Sequence, residues 1–247
     1  MSFNRWVRVD RNNSSGFALI NGEIQTYGTR DFGLLYYAVE AFNDFTLSLQ
    51  FRVFNPALQN SGVFVRFRDP LVPLPQAILQ RISTQNELRP DLPTDSQLFA
   101  NNRAWSAVYS GFEVQIDDNA EADPRKSYYG GPEPPGLRKN RTGAIYKIPA
   151  RDAIPNSSQF DAELQTYTPA PNLRMRAWYE LVVDVRGNIY TVDLKDTEMG
   201  SQVRVTRFVN PDAARGVGRE NGRPIGFIGL QSHPGSPVAF RNIQVRA

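Results

Sequence analysis

Three side chains able to do chemistry occupy alternate positions of one short segment: Glu113, Gln115 and Asp117. On an extended strand, residues i, i+2 and i+4 leave the same face about 7 Å apart at each step. The intervening Phe112, Val114 and Ile116 make the opposite face apolar. Such a row can be a solvated outer face. It can also floor a concave groove in which amides and carboxylates bond sugar hydroxyls and one carboxyl moves a proton. Arg66 and Arg68 share the polar parity of their own segment, Gly62–Arg68, opposite Val63, Val65 and Phe67. If the two strands are neighbours, the guanidinium groups face the same groove. There an Arg could hold a hydroxyl pair, stabilise a developing oxyanion, or simply pair with Glu113.

His233 is the one histidine of the chain and shares a strand face with Gln231, opposite Leu230. Its ordinary pKa near neutrality suits a general base, although a lone histidine is more often structural. The stretch Asp117–Asp123 could ligate Ca²⁺ through oxygen, but its spacing is not that of an EF-hand loop, and an acidic solvated loop is the simpler account. One His and no Cys leave too few ligands for zinc. There is no G-x-S-x-G, no phosphate-binding glycine loop and no H-E-x-x-H. No cofactor is expected.

The elements that must position these groups are strands. Phe45–Val53 alternates Phe45, Leu47, Leu49, Phe51 and Val53 with Thr46, Ser48, Gln50 and Arg52, the pattern of a half-buried strand. Gly62–Arg68 and Gly111–Asp117 repeat it. Further strands are predicted at Phe17–Ile20, Gly143–Ile148, Trp178–Val185, Tyr190–Leu194, Gln202–Phe208, Gly226–Ser232 and Val238–Arg246, with Arg186-Gly187-Asn188 as a hairpin turn. About ten short strands, with 18 Gly and 18 Pro to break helices, indicate an all-β sandwich or jelly roll. Two long loops interrupt the pattern, at about 69–110 (with a short helix expected near Pro75–Ile82) and 119–142. Loops of that length are usually functional rims. Strand-period segments fill both halves of the chain without a linker between them, so one domain over 1–247 is expected.

Composition excludes several classes. A net charge of +3, with basic residues scattered among acidic ones, gives no nucleic-acid footprint. The absence of cysteine removes disulfides and a Cys nucleophile. No apolar stretch approaches a membrane span, and the N-terminus lacks the apolar core of a signal peptide. The chain therefore reads as soluble, acting in the cytoplasm or, after removal of a leader, in the periplasm or outside.

The strands also carry a likeness. Asn60–Arg66, Gly111–Asp117, Thr142–Tyr146, Gly226–His233 and Phe240–Ile243, with Ile20–Ile24 and Asp44–Leu47 before them, resemble in order the segments of the 3-keto-disaccharide hydrolase domain family, also called domain of unknown function 1080. The resemblance implies a concanavalin A-like jelly roll of two antiparallel sheets acting on glycosides already oxidised at C3. The ketone acidifies the C2 hydrogen, a base removes it, the C1 substituent leaves, and water can add to the enone. Matching positions imply His233 or Glu113 as base and Arg66 or Lys147 as partner of the enolate oxygen. Of the other matching positions, Gln115, Asp117, Tyr146 and Gln231 would bind substrate, and Arg68 is expected to join them by its strand parity alone. Lys147 and the long 69–110 segment depart from the family's usual pattern. Two other readings remain: a non-catalytic, lectin-like carbohydrate-binding module, and then a retaining glycosidase. The last needs carboxylates about 5–5.5 Å apart, whereas Glu113 and Asp117 start about 13 Å apart on a regular strand.

Overall fold

The computed structural model describes residues 5–9, 16–27, 32–56, 59–76, 102–119, 141–146, 165–210, 218–220 and 223–247. Strands dominate them. The six-stranded sheet contains β1 (Trp6–Val9), β4 (Gly33–Tyr37), β6 (Ser61–Phe67), β7 (Phe112–Ile116), β8 (Ile145–Tyr146) and β15 (Phe227–Ser232), in the order β1-β4-β15-β6-β7-β8. The eight-stranded sheet contains β2 (Gly16–Ile20), β3 (Glu23–Tyr27), β5 (Phe45–Val53), β9 (Gln165–Tyr167), β10 (Tyr179–Arg186), β11 (Ile189–Asp196), β12 (Gln202–Val209) and β16 (Val238–Arg246). Its order is β2-β3-β16-β5-β10-β11-β12-β9. A separate hairpin joins β13 (Gly218–Glu220) to β14 (Arg223–Ile225). All these pairings are antiparallel, and both sheets interleave strands from the two halves of the chain. This is the expected all-β jelly-roll sandwich.

Each of the ten segments predicted from alternation contains a strand. Those not anticipated are β1, β3, β4, β9, β13 and β14, all of three to five residues. In addition β4 reads Gly-Leu-Leu-Tyr-Tyr, with four of its five residues buried, so alternation has nothing to show there. The predicted turn is correct: Gly187 and Asn188 link Arg186 to Ile189 across the β10–β11 hairpin, with Gly187 at φ 57°. The helix expected near Pro75–Ile82 falls mostly outside the described residues. A helix instead closes the same segment, α1 (Trp105–Ser110).

The alternation places side chains by parity. The odd-numbered residues of β5 are fully buried between the sheets, each worth about 1.5–3 kcal/mol against exposure. They join Val63, Val65, Phe112, Val114, Ile116, Leu181, Val183 and Leu230 in one core. A second cluster lies on the other side of the six-stranded sheet. Here Phe32, Leu34, Tyr36, Phe64 and Phe67 pack with Ala104 and Ala107 of the α1 region, and Trp105 and Phe227 close against them. Part of that outer face is thus roofed by aromatics. The rest, along β7 and the ends of β6 and β15, carries polar groups. Among the described residues, no helix is long and apolar enough to cross a membrane.

Candidate functional site

Register assembles the polar part of the outer face. In β6–β7, Gly62 lies opposite Gln115 and Phe64 opposite Glu113. In β15–β6, Gly229 lies opposite Phe64, which brings Gln231 two residues on to the same outer face. Glu113 is also paired by backbone with Tyr146 of β8. The side chains of Glu113, Gln115, Asp117 and Gln231 belong to residues that are each at least nine-tenths buried. Strand parity alone therefore brings together most of what the sequence singled out.

The Glu113 carboxyl is the chemical centre of this patch. Burial pushes its pKa up to about 8; the charge of Asp117 adds to the rise, and a hydrogen bond from the Gln231 amide opposes it. At neutral pH the group therefore holds its proton. With the Gln115 amide in the orientation that satisfies its neighbours, Nε2 lies 3.1 Å from Glu113 Oε1 and 3.1 Å from the Ser61 carbonyl. Two amides thus flank one carboxyl. Gln231 Oε1, also buried, accepts no hydrogen bond, an acceptor that a ligand hydroxyl would satisfy. Gly62 leaves the room for this arrangement: a β-carbon there would sit 2.2 Å from Glu113 Oε1.

His233 stands just past the end of β15. Its Nδ1 lies 3.2 Å from the Pro234 carbonyl and its Nε2 lies 3.4 Å from Asn60 Nδ2. Burial depresses the imidazole pKa, with the Pro234 carbonyl pulling the other way. The neutral ring is therefore the folded form near pH 7. Asn60 immediately precedes β6, and Gly62, beside the Glu113 carboxyl, lies two residues on with the same parity, which puts the Asn60–His233 contact next along the same row of the outer face.

Arg66 is elsewhere. The register between β15 and β6 slips between Phe227 and Ile228, so Arg66 is the extra residue of a β-bulge. Its φ is 56°. Gly226 makes the bulge possible, because a β-carbon there would come within 2.5 Å of the Arg66 backbone. The bulge breaks the alternation: Phe67 packs with the outer aromatic cluster and Arg66 turns inward. Its guanidinium donates to the carbonyls of Gly187 (3.1 Å) and Asn43 (2.6 Å), pairs with Asp44 and lies 5.8 Å from the Tyr190 ring. The expectation that it faces Glu113, as ligand or as ion-pair partner, is corrected by this bulge. Arg68, past the same bulge and the end of β6, donates its backbone N–H to Ser110 Oγ (3.0 Å) beside α1; its backbone lies four residues along from Phe64, the partner of Glu113. Lys147 lies outside the described residues.

The two acids that follow β7 diverge. Asp117 shares the parity of Glu113 and accepts the Asn119 N–H (2.8 Å). Asp118 points the other way, accepting from Thr142 Oγ1 (2.7 Å) and the Leu173 N–H. Their opposed directions separate the first two carboxylates of the stretch weighed for Ca²⁺; residues 120–123 are outside the described set. Among the described residues, no group of three or more His, Asp or Glu is arranged around a common metal position. Two positions without an expected role enter the site, Asn60 and Gly62. Both share the outward parity of Phe64 and both lie in the Asn60–Arg66 segment that carries the family likeness, the two signals that could have marked them.

A family model described as the 3-keto-alpha-glucoside-1,2-lyase-like domain matches residues 2–246. No protein of curated function matches the sequence. Among solved structures, a Parabacteroides distasonis protein provisionally described as a glycosyl hydrolase aligns with a TM-score of 0.52 at 16% identity, covering 99% of this chain and 89% of that one. A Bacillus subtilis protein of unknown function with a galectin-like fold gives 0.50 at 8% identity over 98% and 88%. The exoplasmic/lumenal domain of VIP36, bound to Ca²⁺ and Man3GlcNAc, gives 0.50 at 11% identity over 100% and 87%. At these identities the likeness is one of fold.

Proposed function

From the premise that this chain belongs to the 3-keto-alpha-glucoside-1,2-lyase-like family, we propose that it cleaves 3-keto-glycosides by removing the C2 proton and expelling the C1 substituent. The observation that supports this reading is a proton-bearing carboxyl, Glu113, held between two amides on the same sheet face as a neutral imidazole, His233. A neutral acid and a neutral base near pH 7 are the pair that β-elimination requires.

In this proposal His233 Nε2 takes the C2 proton. The C–H electrons move onto the C3 oxygen as an enolate. They return as the C1–O bond breaks, and the departing oxygen receives the Glu113 proton. The product is an enone and the free aglycone. Water adding across the double bond, with its oxygen to C1 and a proton to C2, gives the 3-keto sugar and completes net hydrolysis. Gln231 Oε1 accepts from a substrate hydroxyl, and the Gln115 amide keeps Glu113 in place. The route avoids the oxocarbenium transition state of ordinary glycosidases. Asp117, by its parity with Glu113, and Tyr146, by its register opposite Glu113, are proposed as secondary sugar contacts.

The experiment is a paired incubation with an aryl glucoside and its 3-keto derivative. Release of aglycone from the keto form alone supports the proposal. Binding of both without release indicates a lectin-like module, and release from the unoxidised glucoside indicates a conventional glycosidase; either result overturns it.

A further inference from the structure

We propose that Asn60 is the positioning residue of the imidazole: it holds His233 in the tautomer with the proton on Nδ1 and the lone pair on Nε2. The inference deepens the reading of His233 as base and rests on it for its catalytic consequence.

The two ring nitrogens meet partners of opposite polarity. At Nδ1 the partner is the Pro234 carbonyl, which can only accept (3.2 Å). At Nε2 it is the Asn60 amide nitrogen, which can only donate (3.4 Å). A carbonyl demands N–H at Nδ1, and an amide N–H demands a lone pair at Nε2. Together they leave one neutral tautomer, and the hydrogen bond made by one nitrogen decides the state of the other. Asn60 contributes a second property. At 3.4 Å its bond is long for N–H···N, so it aims the lone pair without competing strongly with an incoming C–H or O–H. Asn60 precedes β6 and His233 follows β15, and these adjacent strands are joined there by Ser61 Oγ donating to the Gln231 carbonyl (2.9 Å). The pair is therefore held from both strands rather than from a loose loop.

Among the described residues, Glu113 and Asp117 of the β7 segment share this outward parity, and the Asp69 carboxylate, beyond the other end of β6, accepts the Tyr36 hydroxyl (3.0 Å). Arg66 of β6 is turned inward, and β4 offers only Leu34 and Tyr36 on this side. Burial and the Pro234 carbonyl are what act on the ring, so exchanging the Asn60 donor for an acceptor should register cleanly.

Asn60→Asp is nearly isosteric and makes that exchange. A carboxylate at Nε2 favours N–H there and stabilises the imidazolium. The single histidine of the chain gives one set of imidazole signals, so ¹⁵N and ¹H NMR titration reads both tautomer and pKa without any substrate. In the unaltered protein Nε2 is expected to be the unprotonated nitrogen. In Asn60→Asp it is expected to be protonated near pH 7, with the His233 pKa raised by about one unit or more and the melting temperature little changed. In Asn60→Ala the Pro234 carbonyl is the one partner left to the ring, so the Nε2–H tautomer should gain population without becoming the sole form. Unchanged tautomer and titration in both variants would overturn the proposal, as would an Nε2–H tautomer in the parent. The acidic limb of kcat/KM on a 3-keto-glycoside should move with the NMR pKa in Asn60→Asp; a limb that stays in place as the NMR pKa moves would overturn the catalytic part. Absence of turnover in the parent would instead sink the proposed function and leave the NMR result to decide the role of Asn60.

Discussion

Replacing Glu113 by glutamine should make the protein more stable at neutral and alkaline pH, by an amount that grows with pH in a defined window. The folded state disfavours the carboxylate, because the group is buried and Asp117 is near, while the unfolded chain ionises it at its ordinary value. Stability contributed by the neutral acid is therefore complete below about pH 4.5, erodes as pH rises towards 8, and is level above that. At about 1.4 kcal/mol per unit, the rise from 4.5 to about 8 costs the fold about 5 kcal/mol above pH 8 and about 3 kcal/mol at pH 7. The substituted amide would keep the shape, and a donor and an acceptor for Gln231 and Gln115, but would not titrate. Urea unfolding of both proteins at about pH 5, 7 and 9, followed by tryptophan fluorescence, isolates the effect, since every other titrating group is common to both. The variant should match the parent at the most acidic point and exceed it progressively at the other two. Parallel stability profiles across that range would refute the argument, because they would mean that Glu113 ionises like an exposed carboxyl.

Three further outcomes follow from the same geometry. Gly62→Ala puts a methyl where Glu113 Oε1 now lies; turnover of a 3-keto-glycoside should fall at least about tenfold, about 1.4 kcal/mol in barrier, while circular dichroism shows the sheets intact. Arg66→Ala removes a fully buried side chain packed beside Tyr190 together with its bonds to the Gly187 and Asn43 carbonyls and should cost about 3 kcal/mol, chiefly as lost packing, lowering the melting temperature by roughly 2–4 °C per kcal/mol. KM should not change in that variant if Arg66 is a clamp rather than a ligand. His233→Gln should abolish turnover with little change in stability, measured by single-turnover assay beside a thermal melt.

The legible parts of this protein are those governed by period-2 alternation. Phe45–Val53 and Glu113-Val114-Gln115 announce their faces because one side is wholly apolar, and the outward grouping of β6 with β7 then follows the same parity. Alternation fails where a local irregularity resets it. The bulge at Arg66 depends on the close approach of Gly226, far along the chain from any window in which a period could be read, and it turns the guanidinium from the groove to the interior. Strands of three to five residues such as β9 carry too few positions to show a period. The role of Gly62 is invisible for a different reason: it is the space a side chain would have filled beside a residue on another strand. Asn60 needs the contact with His233, which only the folded register supplies.

The central claim is that an imidazole on this sheet face removes the proton at C2 of a 3-keto sugar. It is tested most directly by following a 3-keto-glycoside deuterated at C2 through the reaction. The account predicts that aglycone release is slowed by the deuterium, that the label is lost to solvent in the product, and that both signals vanish in His233→Gln. Cleavage that retains the deuterium at C2, or proceeds undiminished without the imidazole, would contradict it.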